Sequence, residues 1–328
     1  MQSERIMHMK KVLFPVVLLM LCFLFLPLSP AEERVFLSTE TTSFAKDADL
    51  LTLRVAGTYG GDSMLLTYGD ETMLIDAGID TFSPWIEQML SEAGSSNHVD
   101  TFFSTHPHRD HLEGLFPLLE KGLAVGRICT VFPHDYHPDE RSVIQNRLMQ
   151  AAENYNIPIV DMKTGDTFSF GPAEITVFRL PDDRIASRMR TNDLSAMLLI
   201  RYGECSILLT GDVEWESQAI LAGLYDLKAD IMKAPHHGYS PMSLDFLNNI
   251  DPEFVFITNG SVDTRLARSQ LELEHRSRYL YSSWGEITFQ TDGTRWIVSQ
   301  DFHPDLRTHA ESHWQRITRQ PDAPSSGT

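Results

Sequence analysis

Residues 105–111 read Thr105-His106-Pro107-His108-Arg109-Asp110-His111. Three histidines and one aspartate fall within six residues, directly after an apolar strand-like run (Thr101–Ser104) and before a helical one (Leu112–Lys121). Neutral imidazoles and carboxylates suit Zn²⁺ and similar borderline ions. On a loop, His106 and His108 can converge on one ion. Asp110 and His111, at the start of the next helix, then point at a second. The bland alternative is a solvated His-rich loop. Two features argue against it: the cluster caps a buried strand, and candidate ligands recur at later strand ends.

The first recurrence is Leu208-Leu209-Thr210-Gly211-Asp212. An apolar strand delivers one carboxylate beside a glycine that clears space, as a bridge between two cations requires. The competing role for Asp212 is an N-cap for the helix beginning at Glu214. The second is Lys233-Ala234-Pro235-His236-His237-Gly238. One of its imidazoles can ligate while the other orients or touches substrate; the sequence does not say which. The third is Leu74-Ile75-Asp76-Ala77-Gly78, whose Asp76 either holds a ligand histidine by a hydrogen bond or serves a turn.

Working outward, short apolar runs separated by glycine-rich turns predict strands over 51–56, 63–68 and 72–76. Helical spacing follows over Ser83–Ala93, with Ser83 as candidate N-cap. Strands and helices then alternate to residue 300, ending in a hairpin about Thr291-Asp292-Gly293. The halves 45–180 and 190–300 suggest an α/β protein: two packed sheets with helices outside, forming one unit. Residues 303–328 are polar and read as a flexible C-terminal tail.

At the other end, Lys10 and Lys11 precede an apolar run from Val12 to Leu28. That order fits a secretory signal, cleaved near Ala31 after Ser29-Pro30, or a membrane anchor retained through residues 12–28. Either places the body outside the cytoplasmic membrane, secreted or anchored. The 328 residues are 42% hydrophobic, which excludes wholesale disorder. Against 27 Lys+Arg stand 45 Asp+Glu, a net charge of −18. No general nucleic-acid-binding surface is expected from that balance, because phosphate binding needs cationic neutralisation. Cys22, Cys129 and Cys205 are too few for a disulfide scaffold or an all-thiolate zinc site.

These motifs, taken in order, resemble the metallo-β-lactamase fold. Thr105–His111 carries its His-X-His-X-Asp-His signature, and Gly61-Asp62-Ser63, Leu74–Gly78, Asn192-Asp193-Leu194-Ser195, Leu208–Asp212 and Pro235–Gly238 follow the order of its members. The resemblance spans about residues 50–300. It looks closest to the extracellular domain of ComEC-type competence proteins and to secreted phosphorylcholine-esterase-like relatives. It implies a four-layer αββα sandwich. It also implies that His106 and His108 hold one metal, that Asp110, His111 and His236 or His237 hold a second, and that Asp212 bridges, with Asp76 and Asn192 in supporting positions. Two Zn²⁺ ions are implied, with Mn²⁺ as the alternative. Two departures stand out. Many members place a histidine where this chain has Asn192, and a Gly-His-Pro turn where it has Thr258-Asn259-Gly260-Ser261.

Such a site activates water near neutral pH and takes up charge on a phosphoryl or acyl oxygen. The resemblance favours a hydroxide attack on a small-molecule or cell-envelope phosphodiester. Asp110 is the candidate proton acceptor, and His237 or Tyr239 the candidate donor to the leaving oxygen. A cationic head group such as choline would suit the acidic composition, with Trp85, Trp215 and Trp284 as candidates for a cation cage. The alternatives are a lactone, β-lactam or thioester hydrolase, or a degenerate member that binds metal or ligand without turnover.

Overall fold

A computed structural model describes residues 33–38, 43–45, 48–132, 142–186, 188–260, 264–271, 277–303 and 313. The chain divides into Met1–Glu33 and Arg34–Thr328, and the second unit carries the fold. The leader or anchor read over 1–31 lies outside the described residues. So does the tail read over 303–328, apart from His303 and His313. His313 is buried and donates from Nε2 to the Tyr279 carbonyl at 2.8 Å. No helix among the described residues is long and apolar enough to cross a membrane.

The strands, in chain order, are β1 (Val35–Leu37), β2 (Leu51–Val55), β3 (Ser63–Tyr68), β4 (Glu71–Ala77), β5 (His98–Ser104), β6 (Ala124–Thr130), β7 (Ile159–Asp161), β8 (Thr167–Phe170) and β9 (Ala173–Phe178). They continue with β10 (Met197–Tyr202), β11 (Cys205–Leu209), β12 (Ile231–Lys233), β13 (Phe254–Ile257), β14 (Arg278–Tyr281), β15 (Gly285–Thr291) and β16 (Trp296–Phe302). The helices are α1 (Ser83–Glu92), α2 (Arg109–Leu112), α3 (Leu115–Glu120), α4 (Ser142–Asn154), α5 (Trp215–Leu224), α6 (Leu244–Ile250) and α7 (Arg265–Ser269).

One sheet of nine strands runs β1-β16-β15-β2-β3-β4-β5-β6-β7, and one of seven runs β14-β13-β12-β11-β10-β9-β8. Their central strands are apolar on both faces because both faces are covered. In β4 and β5, Ile75 and Phe103 join a core shared with Ile200, Leu208 and Phe256 of the second sheet. Their neighbours Leu74 and Phe102 pack instead with Ile86, Met89, Leu115 and Leu148 of the helices. Each such side chain contributes about 1.5–3 kcal/mol by leaving water. Leu221 of α5 and Phe246 of α6 close the second sheet from outside. The result is the expected four-layer αββα sandwich.

The sheets do not follow the halves of the chain. The hairpin β15–β16 returns to the first sheet, where β15 pairs antiparallel with β2 (Phe289 opposite Leu53). Strands β8 and β9 cross to the second, where β9 pairs with β10. Long-range pairing of this kind leaves no trace in local periodicity. Strands β1, β7, β8 and β14 lie outside the expected ones; at three or four residues each offers too little alternation to read. The helix expected over 112–121 is interrupted: Gly114 N–H donates to the Gly78 carbonyl at 3.0 Å, tying the chain to the end of β4. Ser83 is the first residue of α1, not its cap. A 3₁₀ turn over Asp80–Phe82 leads into the helix, and the Ser83 hydroxyl donates back to the Asp80 carbonyl. Cys129 and Cys205 are free, buried thiols; burial first of all pushes Cys205 up to about 12.

Candidate metal centre

The chemistry-bearing motifs meet where strands of both sheets end. Strands β4 and β5 run parallel in the first sheet, and β11, β12 and β13 in the second. Their carboxyl ends therefore point the same way and deliver Asp76, His106, Asp212, Lys233 and Thr258 to one place. Backbone bonds stitch the loops together: Ala196 N–H to Thr105 O at 2.9 Å, His236 N–H to Gly211 O at 3.2 Å, and Asp62 N–H to Asp110 O at 3.1 Å. Two glycines permit this closeness. A Cβ on Gly211 (φ +52°) would lie 2.9 Å from the Ala196 carbonyl oxygen, and one on Gly61 2.8 Å from that of Asp110. Asp76, His236 and His237 adopt left-handed backbone at φ 54°, 46° and 52°. Each costs on the order of 1–3 kcal/mol, strain the surrounding contacts must hold.

Three imidazoles converge on one carboxylate oxygen. Asp212 Oδ2 lies 3.2 Å from His111 Nε2, 3.3 Å from His237 Nε2 and 3.6 Å from His106 Nε2. Asp110 Oδ2 stands 3.3 Å from His237 Nε2. Donors about 2.0–2.1 Å from a tetrahedral ion are separated by about 3.4 Å, so these atoms already stand at ligand spacing. His106 Nε2 and His237 Nε2 are buried without a hydrogen bond. Ligand-capable atoms of His106, His108 and Asp212 lie within 4.8 Å of one another, and so do those of Asp62, His111, Asp212 and His237. The two groups share Asp212, the expected bridge. Asp212 is not the helix cap, which is Glu214. The donor set fits one or two borderline divalent ions.

Asp62 braces the site rather than facing an ion. Its Oδ1 accepts from Thr258 Oγ1 at 2.7 Å and His237 Nδ1 at 3.1 Å, and its Oδ2 holds Lys233 Nζ at 2.7 Å. It therefore holds His237 by Nδ1 and leaves Nε2 toward Asp212. Asp76 does the same for His111, taking Nδ1 at 2.7 Å, and also accepts from Thr105 Oγ1 at 2.6 Å. Thr105 in turn contacts His106 Nδ1 at 3.1 Å. Each brace settles which nitrogen is left for an ion.

Lys233 is fully buried beneath this layer. Its Nζ reaches Asp62 Oδ2 at 2.7 Å, the Gly211 carbonyl at 2.8 Å, the Ala234 carbonyl at 3.3 Å and Asp212 Oδ1 at 3.5 Å. Asp62, Thr258 and Lys233 were not singled out as site residues from the sequence. A lysine closing the otherwise apolar run Ile231-Met232 was the available signal.

The charges polarise one another. Burial would lower His111, but Asp212 and Asp76 outweigh it and hold it well above the ordinary histidine range. His237 is raised likewise, against its burial, by Asp212 and Asp62. Burial prevails at His106, aided by neighbouring His111, and keeps it well below that range. Burial would raise Asp212, yet His237, His111, His106 and Lys233 hold it well below the usual carboxylate range. Asp110 is lowered too, chiefly by His237 and His111 acting against burial.

The structure separates the paired histidines. His237 faces the cluster; Asp62 and Thr258 hold its Nδ1, while Nε2 points at Asp212 and Asp110 without a hydrogen bond, which suits a ligand rather than the proton donor also considered for it. His236 turns away, with Nδ1 at 2.8 Å from Glu214 Oε1 and Nε2 at 3.3 Å from Asn192 Nδ2. Asn192 is buried and its Oδ1 has no hydrogen bond. Tyr239 is exposed, edge-on to His236 and His237 with centroids 5.7 and 6.0 Å away. A cavity of about 930 Å³ opens over the site, lined by His108, Asp110, Asn192 and His236 among others. None of the candidate cage tryptophans lines it. Trp85 packs on His303, Trp284 on Tyr281, and Trp215 is exposed on α5.

The family described as "Beta-lactamase superfamily domain" matches residues 71–263. A search among curated proteins finds no match. Among solved structures, the chain is similar to the metallo-beta-lactamase fold protein YhfI from Bacillus subtilis. The identity is 14%, over 74% of this chain and 100% of that one, with a TM-score of 0.51. Others are BJP-1, a subclass B3 metallo-beta-lactamase of Bradyrhizobium japonicum (16%, 58% and 75%, TM-score 0.36), and CmlA, a diiron beta-hydroxylase from Streptomyces venezuelae (17%, 69% and 47%, TM-score 0.42). Because the family match spans more than half of the chain, this protein belongs to the beta-lactamase superfamily and carries its metallo-β-lactamase fold.

Proposed function

We propose that the protein is an exported metal-dependent hydrolase of phosphodiesters. The observation that carries the reading is the convergence of His106, His111 and His237 on Asp212 Oδ2 at 3.2–3.6 Å, with Asp110 alongside. His106 and His108 would hold one ion; Asp110, His111 and His237 a second; Asp212 both. The nitrogen-rich set suits Zn²⁺, with Mn²⁺ as the alternative. Asn192 Oδ1 is the available oxygen donor where relatives carry a histidine. Bound ions would supply an ionised water near neutral pH and charge stabilisation at the phosphoryl oxygens.

The chain's own groups do the rest. Asp76 and Asp62 hold the Nδ1 protons of His111 and His237 and keep both Nε2 atoms aimed. Lys233 fixes Asp212 from below. Asp110, with its side chain 36% exposed at the cavity floor, can take a proton from the attacking water wherever it is not itself a ligand. Tyr239 can give one to the leaving oxygen. The preference for phosphodiesters, and the likeness to ComEC-type domains and phosphorylcholine-esterase-like proteins, rest on the motifs. Export rests on the charged and apolar order of residues 10–28, as a cleaved leader or a retained anchor.

The test is metal content followed by turnover of bis-p-nitrophenyl phosphate by the full chain. Bound divalent metal with turnover abolished in Asp212→Ala and His108→Ala supports the hydrolase. The non-catalytic reading draws on Asn192, and a folded, metal-loaded but inert protein would favour it. A folded, metal-free and inert protein rejects the hydrolase.

A further inference from the structure

The cavity over Asp110 carries an arginine wall. Arg109, Arg147, Arg188 and Arg190 line it, in a chain with net charge −18. Their pairing leaves two guanidiniums over. Arg109 is taken by Glu113 at 2.8 Å, and Arg188 by Glu216. The cavity's other carboxylates are committed. Asp193 accepts from Ser217 Oγ at 2.7 Å and from the Arg190 backbone N–H at 2.9 Å. Glu214 faces His236 Nδ1 at 2.8 Å, and Asp110 faces His237. Arg147, exposed on α4, lies over the Phe116 ring at 3.9 Å. Among the described residues neither Arg147 nor Arg190 has a carboxylate partner.

Of the described residues, Arg127 and Arg295 also lack a carboxylate partner, but they lie elsewhere on the chain. Arg147 and Arg190 share a cavity with His108 and Asp110 and present planar donor forks to whatever fills it. Stacking on Phe116 pre-orients Arg147, so less side-chain freedom is lost when an anion binds. The volume, about 930 Å³, lies near the upper end of small-molecule sites and exceeds what a lone ester of phosphate needs. Among the described residues no aromatic cage for a cationic head group lines the cavity.

We infer that Arg147 and Arg190 form an anion subsite that binds a second phosphate or carboxylate group of the substrate, remote from the bond that is cleaved. The occupant is a small phosphodiester with an extra anionic group, not a choline ester. This deepens the hydrolase reading and rests on it for turnover, though not for binding.

The test compares thymidine 5′-(4-nitrophenyl phosphate) with the same compound bearing a 3′-phosphate, using the metal-loaded full chain. A charge-assisted anchor should favour the 3′-phosphate compound by roughly tenfold to a hundredfold in kcat/KM, mostly through KM. The preference should fall to about one in Arg147→Ala/Arg190→Ala and reverse in Arg190→Glu. Turnover without preference, or a preference untouched by these substitutions, overturns the subsite. If neither compound is hydrolysed, the hydrolase reading fails separately, and calorimetry decides the subsite. Thymidine 3′,5′-bisphosphate binding no more tightly than thymidine 5′-phosphate overturns it. Tighter binding that is lost in the double variant upholds it.

Discussion

Asp76 Oδ2 stands 2.7 Å from His111 Nδ1, and this contact decides that the other nitrogen of His111 looks at Asp212. Asp76 is held in turn by the Thr105 backbone N–H at 2.9 Å and hydroxyl at 2.6 Å. Asp76→Asn keeps the shape but removes the charge that fixes the ring. Metal affinity should fall roughly 10–100-fold with the fold intact, read by competition with a chelating dye. Unchanged affinity would remove Asp76 from the support of the site.

The adjacent histidines should part company. His237 reaches the shared carboxylate, while His236 faces Glu214 and Asn192. His237→Ala is expected to lower the number of ions retained per chain. His236→Ala should keep the wild-type metal content, measured by elemental analysis after dialysis. The reverse outcome would reassign the ligand.

How far the sequence reaches is visible in these same residues. The density of ligands over 105–111 and the strand leading into Asp212 are local patterns, and the structure brings both to one place. Which member of His236-His237 turns inward depends on three consecutive left-handed residues ending in Gly238, a backbone path no composition reveals. Asp62, Thr258 and Lys233 are far apart in the chain and meet only through parallel pairing of β12 with β13 and packing of the two sheets. The exchange of hairpins between the sheets was hidden for the same reason: strand partners are chosen by tertiary burial, not by neighbouring residues.

Lys233 should matter most to the metal-free protein. Its buried ammonium is held by Asp62 at 2.7 Å, with Asp212 beside it. Lys233→Met leaves those carboxylates unmatched and should destabilise the metal-free chain by about 3–5 kcal/mol in urea denaturation. Adding Asp62→Asn should restore part of the loss, since the uncompensated charge goes with it. Strictly additive effects would contradict the pairing.

The pH dependence follows from opposed shifts. His111 and His237 are raised on folding, so their contribution is full below about pH 6.5, the ordinary histidine value, and is lost as pH climbs through their higher folded values. Asp212 and Asp110 are lowered, so theirs is full above about pH 4 and is lost as pH falls through their depressed folded values. His106 is lowered and costs stability as pH falls below about 6.5, but the two raised histidines outweigh it, so metal-free protein should be most stable between about pH 4 and 6.5. Ions must displace the histidine protons, so the fall in Tm on chelation should grow from about pH 6 to about pH 8. A fall independent of pH would contradict the assignment of these histidines as ligands.

The central claim is that Asp212 gathers divalent ions shared with histidines from both sheets. Anomalous-scattering maps from crystals of the metal-loaded chain test it most directly. The account predicts two peaks flanking Asp212 Oδ2, one beside His106 and His108, the other beside Asp110, His111 and His237. A map with no peak within bonding distance of Asp212, from protein shown to be folded and exposed to Zn²⁺ or Mn²⁺, would contradict it.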